Sequence, residues 1–307
     1  LLVNYLEPVW EKKFIFHSFA CRDGKGAHLA VKHLKKFTRI ATRNFSRPAC
    51  YLQMDIAAFF MSLKKDVLFK NVAGHLKNPE ILWLTEKIIF HDPTENYYRK
   101  GNPALAKLIP DNKSLFSVPK GRGLPIGNLT SQFFANIYLN PLDQFVKHEL
   151  KAKHYLRYVD DFILIHNNSK QLSSWKRRID RFLADELELK LHPKKSVQQS
   201  VYKGINFVGF IVKPGYSLIR RRTVNSLKER LKEFNGLPMP ESGENFRKSL
   251  LKILAVINSY YGQFRNADTL SLRKSIYAKH FGALKTYLEP SGADFLFFRI
   301  KKIPEET

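Results

Sequence analysis

The sharpest feature of the chain is Tyr158-Val159-Asp160-Asp161-Phe162-Ile163-Leu164-Ile165. Two adjacent aspartates stand between apolar runs that would pair as a hairpin. A plain turn is one reading. Two-residue hairpin loops, however, favour Asn-Gly or Asp-Gly, because they need positive φ. Asp-Asp suits that geometry poorly. It also puts two negative charges on one tip, where they repel unless a cation neutralises them.

A third carboxylate lies upstream. Tyr51-Leu52-Gln53-Met54-Asp55-Ile56 reads as a strand, with Leu52, Met54 and Ile56 on one face and Gln53 and Asp55 on the other. A charge in a mostly apolar stretch is costly unless paired or metal-bound; a solvated face shared with Gln53 is the alternative. One strand aspartate and an Asp-Asp hairpin on neighbouring strands bring carboxylates to one point. Hard divalent cations such as Mg²⁺ prefer such oxygen ligands. Two ions about 3.5–4 Å apart clamp the attacking and leaving oxygens of phosphoryl transfer.

The surrounding chain is strongly basic. Its 307 residues hold 52 Lys plus Arg against 27 Asp plus Glu, a net charge of +25. Such an excess implies a polyanionic partner, nucleic acid before anionic membrane. No apolar run approaches the length of a membrane span. Cys21 and Cys50 are the only cysteines and form no CxxC, which fits a reducing cytoplasm and argues against a zinc module or disulfide framework.

Helical spacing predicts helices over 128–150, kinked at Pro141, and over 170–187. Leu187, Leu189 and Leu191 alternate as a strand, and 204–212 reads as another. After the Lys213-Pro214-Gly215 turn the pattern is mostly helical: 223–234, 244–264 and 269–288, with a linker at 236–243. Residues 91–120 carry scattered prolines and little periodicity, and read as an irregular insertion.

With these residues in place, the chain resembles a reverse transcriptase. Asp55 in Gln53-Met54-Asp55-Ile56-Ala57-Ala58-Phe59-Phe60 matches the family's first catalytic motif, and Tyr158-Val159-Asp160-Asp161 its Tyr-x-Asp-Asp box. Gly123-Leu124-Pro125-Ile126-Gly127-Asn128-Leu129-Thr130-Ser131-Gln132 matches the nucleotide-contacting motif between them. Leu191-His192-Pro193-Lys194-Lys195-Ser196 resembles the lysine-bearing motif, and Phe207-Val208-Gly209-Phe210 the primer-grip hairpin. Five motifs in the right order carry more weight than any one.

The resemblance implies an α/β (α+β) right-hand polymerase with fingers, an RRM-like antiparallel palm sheet and an all-helical thumb. Residues 1–47 would be fingers, lacking the basic strand that usually precedes this segment and so N-terminally truncated. Residues 48–90 would carry the first palm motif and adjoining fingers helices, 91–120 the insertion, 121–213 the palm and 214–307 the thumb.

It also implies roles. Asp55, Asp160 and Asp161 would hold two Mg²⁺ ions, with Mn²⁺ as a substitute, and Lys195 would act as general acid to pyrophosphate. Phe60 would be the steric gate against ribonucleotides, and Ile126, Gly127 and Gln132 would face the nucleotide. Phe207, Gly209 and Phe210 would form the primer grip. Arg220, Arg221, Arg222 and Lys228 would track a template or primer backbone. Gly24-Lys25-Gly26 reads as a phosphate-facing loop without full P-loop spacing. Template RNA, a DNA or RNA primer and dNTPs are the implied partners.

Most members carry Gln where Ile126 stands. An aliphatic residue there resembles the enzymes of diversity-generating retroelements, which copy a template RNA with adenine-directed errors and use a small basic accessory protein. The alternatives are a retron, group II intron or phage-defence reverse transcriptase, and a catalytically defective RNA-binding protein of the same fold.

Overall fold

The computed structural model describes residues 1–98, 100–102, 108–237 and 244–301. It divides into two compact units, Leu1–Val201 and Tyr202–Thr307. The break falls after 201 rather than at the expected palm–thumb boundary of 213. The 205–213 hairpin therefore belongs to the second unit.

The first unit is built on a four-stranded antiparallel sheet: β1 (Cys50–Met54), β2 (His154–Tyr158), β3 (Asp161–His166) and β4 (Val197–Ser200), in the order β2-β3-β1-β4. Tyr51 opposes Ile165, Leu52 opposes Leu164 and Met54 opposes Phe162. This register puts Leu52, Met54, Phe162, Leu164 and Tyr155 in the main core. Two helices add further to that core. α6 (Leu129–Gln144) brings Phe134, Ile137, Tyr138 and Leu142, and α7 (Ser169–Leu187) brings Leu172, Trp175, Ile179 and Leu183. Each such side chain, fully buried, contributes about 1.5–3 kcal/mol. A one-residue slip of β1 would send Gln53 and Asp55 into this core, so the register is strongly held.

Around the sheet run α1 (Leu2–Glu11), α2 (Ala27–Ala41), α3 (Phe59–Ser62), α4 (Lys65–Ala73) and α5 (Pro79–Phe90). α2 buries Ala30, Val31, Leu34, Phe37 and Thr38 along one stripe and lies against β2 and β3. Ahead of it, Ser18 bridges Arg157 in parallel, which extends the sheet edge beyond β2. In 91–120 the described residues hold only two single turns, Asp111–Lys113 and Leu115–Ser117. The buried Lys65 ties down the start of this segment by donating to the His91 carbonyl at 2.8 Å.

Several expectations change. The expected helix 128–150 is α6 followed by a wide π-turn over Phe145–Glu149. The leucines at 187, 189 and 191 form no strand: Leu187 closes α7, and Leu191 makes a lone bridge with Ile56. All three still turn inward beside the core, which is why they mimic strand alternation.

In the second unit the single strand expected over 204–212 is a hairpin, β5 (Ile205–Phe207) and β6 (Phe210–Lys213), extended by β7 (Tyr216–Ile219). Val208 (φ +39) and Gly209 (φ +94) make the turn. Among the described residues four helices follow: α8 (Arg221–Gly236), α9 (Glu244–Phe264), α10 (Leu270–His280) and α11 (Leu284–Tyr287). The tail is not helices alone, because β7 and the small pair β8 (Leu288–Pro290) and β9 (Phe298–Ile300) stand among them. Most of the 236–243 linker lies outside the described residues.

Candidate active site

Asp55 sits one residue past the end of β1. There the chain leaves the ladder for the short α3, through Ala58 in the left-handed region (φ +45). Tyr158 pairs with Asp161 across β2 and β3, so the hairpin loop is Val159-Asp160 and not Asp160-Asp161. Val159 takes the positive φ, +55. The turn thus meets its conformational demand with a β-branched residue, for which φ > 0 is a genuine outlier. Asp161 is the first residue of β3.

Asp55 and Asp160 face one cavity of about 470 Å³. Phe60, Ile126, His192 and Lys195 line it, together with Asn112 and Lys113 from the insertion. Burial, reinforced by the neighbouring Asp55 carboxylate, pushes the Asp160 pKa up; a backbone hydrogen bond, Lys195 and Arg157 pull the other way. Lys195 Nζ donates to both Asp55 oxygens, at 3.0 and 2.9 Å. The His192 amide donates to the Asp55 carbonyl at 2.7 Å and holds the lysine-bearing loop against β1.

Asp161 is engaged differently. Its carboxylate accepts from Gln53 Nε2 at 2.9 and 3.1 Å, diagonally across β1 and β3. Among the described residues no three His, Cys, Asp or Glu side chains form a ready-made ion cage. The donor chemistry nevertheless fits a hard cation: two carboxylates share one cavity, and one of them is held against a single lysine that an ion would replace.

The other expected residues are placed as follows. Phe60 is half-buried at the cavity wall, its ring edge-on to Phe59 at 5.4 Å. Ile126 is 65% exposed, unusual for an isoleucine and suited to contact with a ligand. Gly127 has φ +105 with open space around its Cα, so only glycine takes that turn without strain. Gln132 lies in the first turns of α6, where its Oε1 accepts from Cys21 Sγ at 3.4 Å. Lys25 Nζ lies 3.4 Å from the Phe16 ring centroid and donates to the Phe16 carbonyl at 3.2 Å.

In the second unit Phe207 and Phe210 pair at the base of the hairpin turn and are buried. A Cβ on Gly209 would come within 3.0 Å of Gln263 Nε2. Arg220 donates its amide to the Gly209 carbonyl at 3.3 Å, joining the hairpin to α8. Arg221 and Arg222 are exposed in the first turn of α8, and Lys228 is half-exposed further along. Cations at a helix N-terminus oppose its dipole, so this run does not serve the helix itself.

Sequence reasoning missed Asn112, Lys113 and His192 as cavity residues. The first two lie in a segment without periodicity, so nothing in the pattern pointed them at Asp55. It also missed Arg157 and Asp143, a fully buried ion pair behind the hairpin. Their signal was present: a charge inside the strand Tyr155-Leu156-Arg157-Tyr158, and another on the apolar face of α6.

A four-stranded antiparallel sheet backed by helices, with acidic residues at the end of β1 and in the β2–β3 turn, is the palm-type architecture of nucleic-acid polymerases. Residues 1–212 match the family described as reverse transcriptase (RNA-dependent DNA polymerase), and the chain belongs to that family. It is similar to Protein YkfC of Escherichia coli (strain K12), 23% identical over 81% of this chain and 66% of that protein. It is also similar to the mitochondrial nuclear intron maturase 3 of Arabidopsis thaliana, 23% identical over 81% of this chain and 36% of that protein. The chain thus spans two thirds or less of these relatives. Among solved structures, telomerase from Candida tropicalis in complex with a fragment of telomeric RNA has the same fold, with a TM-score of 0.52 at 14% identity over 93% of this chain and 45% of that one. Among the described residues no helix is long and apolar enough to cross a membrane.

Proposed function

We propose that this chain is an RNA-directed DNA polymerase that adds deoxynucleotides to a primer 3′-hydroxyl. The observation that carries the reading is the cavity where Asp55 and Phe60 meet Ile126, Asp160 and Lys195 from distant parts of the sequence. Asp55 and Asp160 would hold Mg²⁺, or Mn²⁺ in its place, and Asp161 adds negative charge behind them. When bound, the metal neutralises phosphate charge and makes the primer hydroxyl more acidic.

The chain's own residues do the rest. The 3′-oxygen attacks the α-phosphate in line, its proton passes to solvent, and the bond to the β-phosphate breaks. Lys195, next to Asp55, gives a proton to the departing pyrophosphate. Phe60 fills the space of a 2′-hydroxyl, and Ile126 packs on the nascent pair with Gly127 and Gln132 behind it. Phe207, Gly209 and Phe210 support the primer end. Arg220, Arg221, Arg222 and Lys228 contact the backbone of a template RNA or a DNA or RNA primer, in line with the +25 charge.

Ile126 in place of Gln supports the retroelement subgroup, with error-prone copying of a template RNA and a small basic accessory protein. Two cysteines and no CxxC fit a reducing cytoplasm. The Asp55–Lys195 pair favours a second reading, RNA binding without synthesis, because a lysine already balances the carboxylate. Primer extension on an RNA template with Mg²⁺ separates the two. Incorporation that is lost in Asp160→Ala supports the polymerase, and RNA affinity with no incorporation by the intact protein supports the binder.

A further inference from the structure

The most deeply buried charged residue of the hairpin is not an aspartate. Arg157 precedes Tyr158 in β2, and its side chain and that of Asp143 on α6 are both 0% exposed. Arg157 Nη2 donates to Asp143 Oδ2 at 2.7 Å, and Nε donates to Oδ1 at 2.9 Å and Oδ2 at 3.2 Å. The Tyr155 hydroxyl donates to Asp143 Oδ1 at 2.6 Å. Nη1 is left for two other acceptors, Asn136 Oδ1 at 3.2 Å and the Val159 carbonyl at 2.9 Å.

That last bond reaches the strained residue of the turn. Val159 holds φ +55, a conformation that persists in a β-branched residue only when its surroundings over-determine it. A buried ion pair is a poor device for stability alone, since apolar residues of similar volume do as well or better. Apolar residues could not, however, donate to the Val159 carbonyl. The clamp is also rigid: the Arg157 amide donates to the His17 carbonyl at 2.9 Å, its carbonyl accepts from the Phe19 amide at 3.0 Å, and Asn136 Nδ2 donates to the Ala20 carbonyl at 2.8 Å.

We propose that Arg157 is a positioning residue: gripped by Asp143 and Asn136, it holds the Val159 carbonyl so that the left-handed turn persists and Asp160 stays at the cavity beside Asp55. The proposal rests on the reading of Asp160 as catalytic.

The test compares the full chain with Arg157→Met/Asp143→Leu, with the same pair plus Val159→Gly, and with Asp160→Ala. Removing both charges leaves no unpaired buried ion, only the Tyr155 hydroxyl and the Asn136 amide each short of one partner, so the double variant stays folded and melts within about 15 °C of the wild type. Its kcat for nucleotide addition falls by about 100-fold while KM for the dNTP stays within about threefold. Mn²⁺ binding to the nucleotide-free protein, followed by electron paramagnetic resonance, weakens by about tenfold. Adding Val159→Gly recovers about tenfold in kcat, because glycine keeps the left-handed turn without the clamp.

A folded double variant with wild-type kcat and Mn²⁺ affinity, or one that Val159→Gly does not improve, overturns the assignment. Should the double variant not fold, Arg157→Lys decides. It keeps a charge against Asp143 but lacks the fork that also reaches Val159, so the same loss of kcat is expected, and wild-type kcat overturns the assignment. The two levels separate cleanly. Wild-type synthesis by Asp160→Ala rejects the site itself, whereas an inactive Asp160→Ala beside a fully active double variant rejects only the positioning role.

Discussion

Lys195 Nζ lies 3.0 Å from one Asp55 carboxylate oxygen and 2.9 Å from the other, so a single ammonium neutralises the carboxylate that β1 delivers to the cavity. The lysine is 56% exposed and the aspartate 19%. On the proposed reading, an ion entering beside Asp160 would compete with this lysine for Asp55.

Lys195→Ala should therefore separate two effects. A pair this exposed contributes less than about 1 kcal/mol, so the melting temperature hardly moves. With the competing ammonium gone, Asp55 binds Mn²⁺ more tightly in the absence of nucleotide. Single-turnover incorporation nevertheless slows by about 10²-fold if the lysine protonates pyrophosphate. Tighter metal binding with unchanged turnover would remove Lys195 from the chemistry.

Phe60→Ala should open the cavity wall where a 2′-hydroxyl would lie. Discrimination against ribonucleotides, read as the ratio of kcat/KM for dNTP and rNTP, drops by about 10²-fold, while dNTP addition changes by less than about tenfold. An unchanged ratio would return Phe60 to a packing role with Phe59.

Ile126→Gln replaces an exposed apolar wall of the cavity with an amide. Sequencing of complementary DNA from a defined RNA template should show wild-type misincorporation concentrated opposite adenines, and the variant should shift that pattern. A wild-type error spectrum flat across the four bases contradicts the retroelement reading and leaves the polymerase reading intact.

The edge beside β2 should lose stability in acid. Burial first, and then Lys147, His33, Lys25 and Lys36, depress the His17 pKa to about 4. Its ring packs 4.8 Å from Phe37 and 5.1 Å from His33. Burial likewise lowers His33 and His154. A histidine with a depressed folded pKa contributes stability that is fully present above the unfolded value of about 6.5 and is lost as pH falls through the folded value. Urea midpoints should fall between about pH 6.5 and pH 4, with a shallower slope in His17→Phe. Equal slopes would show that His17 does not carry the effect.

The sheet was legible because its signals are local. Leu52, Met54 and Ile56 alternate with Gln53 and Asp55, and Phe162 to Ile165 is a short apolar run after a turn; both patterns survive in the register. The candidate site was legible from carboxylates that no apolar face could absorb, of which Asp55 and Asp160 line the cavity while Asp161 turns to Gln53. The turn itself was less so. An Asp160-Asp161 tip is ill suited to the positive φ of a two-residue loop; the loop is instead Val159-Asp160, and Val159 holds the positive φ, with Arg157 donating to its carbonyl from behind. Such a clamp depends on Asp143, 14 positions away on a helix, and no periodicity reports it. The run 204–212 concealed a hairpin because Phe207 and Phe210 are apolar on both sides of a two-residue turn. The leucines at 187, 189 and 191 misled for a related reason: burial on leaving a helix produces the same alternation as a strand.

If Asp55 and Asp160 act together on a nucleotide in one cavity, single-nucleotide primer extension on an RNA template with Mg²⁺ should distinguish the intact protein from Asp160→Ala at matched folding. Incorporation by the variant should fall by about 10³-fold or more with RNA affinity retained. Equal incorporation by the two proteins would rule out that joint role.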